Sequence, residues 1–132
     1  MMLVKSGPEA EKGILPDVQL FSEMEKYNDE LAKAGVLISL DGLQSSSKGA
    51  RVSFSGDTTT VTDGPFANPE ELVAGYWVIR ADSKDEAIAW AKKAPFKGGV
   101  IEIRQIQEMS DFPPEIQKAA GGEAAHIRKE QA

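Results

Sequence analysis

The most distinctive chemistry in this sequence lies in Asp63-Gly64-Pro65-Phe66, which follows a threonine-rich run. A carboxylate at the mouth of a cavity can act as a general base or accept a hydrogen bond from a ligand. The same residues also suit a plain turn, because Asp bonds nearby backbone, Gly permits unusual dihedral angles and Pro fixes φ. The two interpretations are compatible. We predict Asp63 as the candidate catalytic residue, with ligand contacts at Gly64, Pro65 and Phe66.

Four further residues are candidates for the lining of such a cavity. Glu102 and Arg104 alternate along the last predicted strand, where they can hold a carboxylate ligand or simply form an ion pair. Tyr76 can line the pocket, although an aromatic residue of this kind also suits a core or an interface. Lys5, at the end of the first predicted strand, completes the set of predicted ligand-binding residues.

Several kinds of chemistry are excluded by residue type. There is no Cys, so disulfides, thiolate nucleophiles and zinc–cysteine clusters are ruled out. The single histidine, His126, lies in the C-terminal segment, so the body of the domain has no Ser/His/Asp triad and no histidine-based metal site. No glycine-rich phosphate loop follows a strand. We therefore predict neither a metal nor a cofactor.

The composition is that of a globular protein, with 132 residues, 41% of them hydrophobic and 27% charged. One domain is expected at this length. The formal net charge of −6 lacks the basic surplus that nucleic-acid binding needs, so we expect no nucleic-acid partner. No apolar run approaches the roughly 20 residues that span a bilayer. We expect no membrane association and a cytoplasmic location.

The elements that position these residues follow from hydrophobic spacing and capping signals. Asp17 is a plausible N-cap and Gly35 a plausible end for a first helix with apolar residues three and four apart. Ser83 with Glu86 forms a capping box before a second helix. The pattern predicts a strand at 2–5, a loop at 7–16, a helix at 17–34, a strand at 36–40, a hairpin at 51–62, a helical turn at 68–71, a strand at 75–79, a helix at 83–94 and a strand at 100–107.

This order predicts an α+β fold, with both helices on one face of a mostly antiparallel sheet. The ferredoxin-like split βαβ arrangement with an inserted β-hairpin fits it. We place the domain at residues 1–109. Residues 110–132 have few large apolar side chains and form a C-terminal tail that is either loosely attached or docked on a partner subunit.

Helices on one face leave the other face of the sheet uncovered. Alternation puts Ile101 and Ile103 under the helices, and Glu102 and Arg104 on the open face. A bare sheet face is an exposed apolar patch, and such patches usually find a partner. Because two-fold pairing is the commonest form of association, we expect a homodimer with a lined cavity between its subunits.

Several sequence blocks carry a resemblance to a known family. They occur in order at residues 33–37, 42–44, 47–52, 62–67, 71–72, 75–77, 83–88 and 102–105. In these blocks, over about residues 1–112, the chain resembles the DGPF-domain branch of the YCII-related proteins.

The resemblance implies a ferredoxin-like subunit in a dimeric α/β-barrel assembly, with a cavity between the sheet and the partner. The family is bacterial, and its activity is largely unestablished. A His and an Asp face the cavity in the YCII branch and suggest catalysis there. Here Tyr27-Asn28 stand where that His is expected, so a His–Asp mechanism does not carry over. Only residues 63–66 correspond to the family motif.

The leading hypothesis is a homodimer that binds a small molecule, such as a carboxylate or carbonyl compound, near residues 63–66. If the protein is an enzyme, a carboxylate is the only candidate base in the body of the domain, and proton abstraction or isomerisation beside a carbonyl is the reaction class by analogy. The alternative is a protein-interaction or regulatory module of transcription, because some relatives lie beside or are fused with extracytoplasmic-function sigma factors.

Overall fold

The computed structural model describes residues 1–120 and has an α+β architecture. Single 3₁₀ turns occur at Ser46–Lys48, Pro69–Glu71 and Met109–Asp111. The strands and helices, in chain order, are β1 (Met2–Lys5), α1 (Pro8–Glu11), α2 (Val18–Lys33), β2 (Leu37–Gly42), β3 (Ala50–Ser55), β4 (Thr58–Asp63), β5 (Val73–Ile79), α3 (Lys84–Lys92), β6 (Ile101–Ile103) and α4 (Pro114–Ala119).

Four strands form one sheet in the order β2-β5-β1-β6, and every neighbouring pair is antiparallel. The chain crosses from β1 through α2 to β2, and from β5 through α3 to β6. This order is compatible with a ferredoxin-like fold, as the sequence predicts. Strands β3 and β4 form a separate two-stranded sheet, so the predicted hairpin is confirmed as an insertion between β2 and β5.

The two long helices begin at the residues that the capping signals predict. The Asp17 carboxylate accepts a hydrogen bond from the backbone N–H of Leu20 at 2.8 Å, which satisfies a free donor of the first turn of α2. The hydroxyl of Ser83 accepts one from the N–H of Glu86 at 3.1 Å at the start of α3. Gly35 follows α2 with φ of 74°, a conformation that favours glycine.

The core lies between the sheet and the two helices. Met2, Tyr27, Leu31 and Trp77 are buried, and Ile103 packs against them. The rings of Tyr27 and Trp77 meet edge to face with 5.2 Å between their centroids. Strand alternation therefore places Trp77 toward the helices and its neighbours in β5 on the opposite face.

Tyr27 and Asn28 belong to this core arrangement. The Tyr27 hydroxyl donates to the carbonyl of Trp90 at 2.7 Å, which ties α2 to α3. The indole N–H of Trp77 donates to the side-chain carbonyl of Asn28 at 2.8 Å. At the point where the family pattern leads us to expect a histidine, this chain thus has two residues that hold the helices and the sheet together.

Some boundaries differ from the sequence prediction. β6 ends at Ile103 instead of reaching residue 107, and beyond it the backbone of Arg104 still bonds to Met1 in both directions, at 2.9 and 2.7 Å. A short helix, α1, replaces part of the predicted loop at 7–16, with Pro8 at its first position, where proline is favoured. Asn68 precedes its 3₁₀ turn with φ of 58° and forms no side-chain cap.

The described part of the predicted tail holds the Met109–Asp111 turn and α4. Residues 121–132, with His126, lie outside the described residues. Within residues 1–120, no helix has the length and apolar character needed to cross a membrane.

Candidate functional site

One row of side chains crosses the open face of the sheet. The strand register places Tyr76 opposite both Asp41 and Leu3, and Leu3 opposite Glu102. Because paired residues share a face and the neighbouring Trp77 points to the helices, this row faces away from them. Asp41, Tyr76, Leu3 and Glu102 therefore lie in a line across all four strands, and we call this line the open-face row.

Tyr76 and Asp41 form a hydrogen-bonded pair at one end of the row. The Tyr76 hydroxyl donates to Oδ2 of Asp41 at 2.9 Å. This bond to a carboxylate, assisted by burial and by the negative charge of Asp41, raises the pKa of Tyr76. The phenol consequently stays protonated, with its single O–H directed at the Asp41 carboxylate.

Glu102 and Arg104 form an ion pair at the other end. Nη1 of Arg104 lies 3.4 Å from Oε2 of Glu102, and both side chains are well exposed. Arg104 continues the pairing of β6 beyond its end, because its N–H donates to the carbonyl of Met1 at 2.9 Å. Its planar guanidinium has further donors free to bind a carboxylate. The predicted pair is therefore formed, with one cation next to the open-face row.

The segment 63–66 is held against the loop after β2. Asp63 ends β4 opposite Ala50, and the N–H of Gly64 donates to the carbonyl of Gly49 at 3.0 Å. The peptide bond between Gly64 and Pro65 is cis. Any Cβ on Gly64 would lie 1.8 Å from the carbonyl oxygen of Ser46, so only glycine fits this close approach.

Ser46 is the centre of a small polar cluster at this segment. Its backbone N–H donates to Oε1 of Glu11 at 3.0 Å, and its hydroxyl donates to the other carboxylate oxygen. The hydroxyl also accepts a hydrogen bond from the N–H of Phe66 at 3.0 Å. The two bonds that Ser46 donates to Glu11 lower the pKa of that carboxyl, because they stabilise its ionised form. We call Glu11, Ser46 and Phe66 the loop clamp.

Phe66 of the loop clamp also makes a cation–π contact. The guanidinium carbon of Arg51, on β3, lies 3.9 Å from the centroid of the Phe66 ring. Phe66 is half-buried, and this contact holds its ring against β3. Asp63 itself is exposed at the end of the hairpin. The motif residues thus lie in a loop that is held by these contacts, with Asp63 at its exposed edge.

The predicted site residues fall into three groups. Tyr76 and Glu102 share the open-face row, with Arg104 beside it. Segment 63–66 belongs to the loop clamp, and no hydrogen bond or ion pair within residues 1–120 joins Asp63 to the row. Lys5 lines a cavity between α3 and β6, and none of the residues that line this cavity belongs to 63–66.

Sequence reasoning missed Asp41, Glu11 and Ser46. Asp41-Gly42 looked like the end of a strand, and only the pairing of β2 with β5 brings Asp41 to Tyr76. Glu11 and Ser46 are 35 residues apart in the chain. A polar serine run and an acidic residue in a loop carry no local sign of one another, so nothing in the sequence pairs them.

A metal site finds no support in this geometry. Across residues 1–120, no group of three or more His, Cys, Asp or Glu side chains is placed to hold a metal ion. The chemistry available at the open-face row is hydrogen bonding and charge pairing. A phenol, two carboxylates and a guanidinium can together orient a small polar molecule.

Comparison with known proteins identifies the family. The model of the YCII-related domain matches residues 1–110. The chain therefore belongs to the YCII-related family, as the sequence blocks indicated. No curated protein matches the chain.

Proposed function

We propose that this YCII-related protein is a homodimer that binds a small organic carboxylate or carbonyl compound on the open face of its sheet. The observation that carries the proposal is the open-face row, in which Tyr76 and Asp41 form a donor–acceptor pair at one end and Glu102 pairs with Arg104 at the other. Arg104 binds the carboxylate of the ligand. The Tyr76 hydroxyl has one hydrogen, which it turns from Asp41 to the carbonyl or hydroxyl oxygen of the ligand when the ligand binds.

The dimer is supported by surfaces that a single protomer leaves open. The long helices α2 and α3 pack on the other face, and Leu3 lies at the centre of the open face between Tyr76 and Glu102. The hairpin also has an apolar face, since Val52 lies opposite Val61 and Phe54 is next but one along β3. Phe54 is 78% exposed. Apolar surface of this kind usually has a partner, and a second copy supplies the commonest one.

In the proposed dimer the second subunit encloses the ligand site. A row of side chains on one exposed sheet is too open to bind a small molecule tightly, because such sites normally enclose most of the ligand surface. A second sheet or hairpin over the row excludes water, which strengthens the hydrogen bonds and the charge pairing. In this assembly residues 64–66 contribute to the rim of the cavity, whereas Lys5 lies in the groove between α3 and β6 and takes no part in it.

Asp63 is the candidate general base of the proposed enzyme activity. It lies at the exposed end of β4, so it reaches a ligand on the open face only if a hairpin lies against that face in the dimer. There it would remove a proton beside the ligand carbonyl while Tyr76 stabilises the oxygen. Asp63→Asn is expected to abolish turnover and to leave ligand affinity within about threefold, because the amide keeps the shape.

The binding proposal is tested by calorimetric titration of the full chain with a panel of small carboxylates, pyruvate and succinate included. Arg104→Gln is expected to weaken binding of any carboxylate that binds by about tenfold or more, since a charge-assisted bidentate pair is lost. Tyr76→Phe is expected to weaken the binding of keto acids more than the binding of acids that have no carbonyl group. Lys26→Gln, an exposed change on α2, is the matched control. Binding that Arg104→Gln leaves unchanged would contradict the proposal.

The exposed hairpin also suits the interaction module that the sequence leaves as the alternative. Light scattering separates the two functions, because the proposed site needs two copies. A monomer that binds none of the panel would rule out the proposed site and favour the interaction module.

A further inference from the structure

A groove of about 570 Å³ lies between α3 and β6, on the helix side of the sheet. Its size falls within the range of small-molecule sites. It does not include the open-face row or the loop clamp. The lining residues come from the ends of β1 and α3, from β6 and from the loop before it, namely Val4, Lys5, Ile88, Ala91, Lys92, Ala94, Phe96, Lys97, Gly98, Gly99, Val100, Ile101 and Ile103.

Small residues create this space. Ala91 and Ala94 present only methyl groups where α3 meets the edge of the sheet. Gly98 and Gly99 bound it on the loop side, and a Cβ at either one would meet no atom within 4 Å. Ile101 and the neighbouring aliphatic side chains remain as an apolar floor. The helix therefore covers the core but leaves a trough beside the edge strand.

The charged residues that line the groove are all cations. Lys5, Lys92 and Lys97 line it, and no acidic residue does, although the chain has 21 Asp and Glu against 15 Lys and Arg. A lysine can lay its aliphatic stem on an apolar surface and keep its ammonium group in water. Three cations around an apolar floor thus form a local positive patch on a protein of net charge −6.

We propose that this groove binds an amphipathic monoanion, a carboxylate on an unbranched aliphatic chain. The carboxylate lies among Lys92, Lys97 and Lys5, and the chain lies on Phe96 and Ile101. The floor supplies affinity in proportion to the methylenes it buries, while the lysines select the charged head. This site is independent of the proposed open-face site, since the sheet separates the two.

The test is a titration of the ¹⁵N-labelled full chain with sodium decanoate below its micelle concentration, followed by backbone amide shifts. Saturable shifts are expected at Gly98 and Gly99 and at the end of α3. Octanoate is expected to bind up to about fifteenfold more weakly, because each buried methylene contributes about fourfold to affinity. Shifts confined to the Tyr76 region, or equal affinity for the two chain lengths, would overturn the proposal.

Charge selection is tested with the double variant Lys92→Gln/Lys97→Gln. Both side chains are exposed, so the fold is expected to be retained. Decanoate is expected to bind the variant about fivefold or more weakly, in line with the loss of two partly exposed ion pairs. Lys84→Gln, on the same helix but outside the groove, is the control and is expected to bind as the parent does. A double variant that binds decanoate like Lys84→Gln would refute the head-group assignment.

Discussion

At the scale of single residues, one close backbone contact and one hydrogen bond hold the segment 63–66 in place. Gly64 passes so close to the carbonyl of Ser46 that no side chain can be added, and the Ser46 hydroxyl bonds to the N–H of Phe66. Glu11 then holds Ser46 from the other side through two hydrogen bonds. The most distinctive motif of the sequence is therefore a structural element, and its one exposed acid is Asp63.

Gly64→Ala is expected to destabilise the protein by about 3 kcal/mol or more, because the added methyl meets backbone that cannot move aside. Urea unfolding measures the change. Gly98→Ala is the matched control, since its Cβ would lie in open space, and it is expected to change stability by less than about 1 kcal/mol. Equal effects of the two substitutions would show that the close approach at Gly64 does not limit the residue type.

Glu11 makes stability depend on pH in a defined direction. Its pKa is lowered from the ordinary 4.5 by the two bonds from Ser46, so its stabilising effect is fully present above pH 4.5. The effect is lost as the pH falls from there through the lower pKa of the folded protein. Glu11→Gln is expected to have a lower free energy of unfolding than the parent at pH 7. The difference between the two proteins is expected to shrink as the pH falls below 4.5.

Urea unfolding at pH 7 and at about pH 3 measures this difference. Glu25→Gln, an exposed change on α2, is the control and is expected to show no comparable convergence. A difference between Glu11→Gln and the parent that stays constant from neutral to acid pH would contradict a role for the ionised carboxylate.

At the scale of elements, both long helices begin at a side-chain cap, and α3 in addition borders the lysine-lined groove. Ser83 caps α3 as predicted, but the Glu86 side chain accepts its bond from the N–H of Asp82 at 3.0 Å and not from Ser83, so only half of the predicted capping box forms. Small residues at the end of α3 and in the loop after it leave the lysine-lined groove open. The N-terminus of α3 is therefore held by hydrogen bonds, while the groove beside its C-terminus stays accessible to a ligand.

Ser83→Ala is expected to lower the free energy of unfolding by about 1 kcal/mol, because the N–H of Glu86 loses its acceptor. Thermal unfolding followed by circular dichroism measures the change. Ser22→Ala, at an exposed interior position of α2, is expected to be neutral or slightly stabilising, since alanine favours helix. A Ser83→Ala protein as stable as the parent would show that water replaces the cap.

At the scale of the whole molecule, the free-standing hairpin is the feature that most requires a partner. Two strands alone are marginally stable in water, and within residues 1–120 β3 and β4 pair only with each other. Their apolar face carries Val52, Val61 and Phe54, all largely exposed. A second copy packed on that face would stabilise the hairpin and cover the open sheet in one assembly.

Light scattering is expected to give a mass of about 28 kDa, twice the 14.2 kDa of one chain. The double change Phe54→Ser/Val61→Thr removes apolar contact area and is expected to shift the protein towards the monomer. Thr60→Ser, on the polar face of the same hairpin, is the control and is expected to leave the mass unchanged. A parent protein of about 14 kDa in solution would contradict the homodimer.

The sequence by itself determined the features that depend on near neighbours in the chain. The caps at Asp17 and Ser83, the turn after α2 at Gly35 and the alternation that turns Ile101 inward were all predicted and are all confirmed. Each depends on residues within a few positions of one another, where hydrogen-bond reach and strand periodicity act directly.

Only the tertiary structure decided which distant residues meet. Tyr76 bonds to Asp41 because β2 and β5 pair in one register, and a shift of one residue would turn each side chain to the other face. Glu11 reaches Ser46 across 35 positions for a similar reason. The strand order places Lys5 in the groove beside α3 instead of beside Asp63. Such contacts are set by the packing of whole elements, and local sequence carries no record of them.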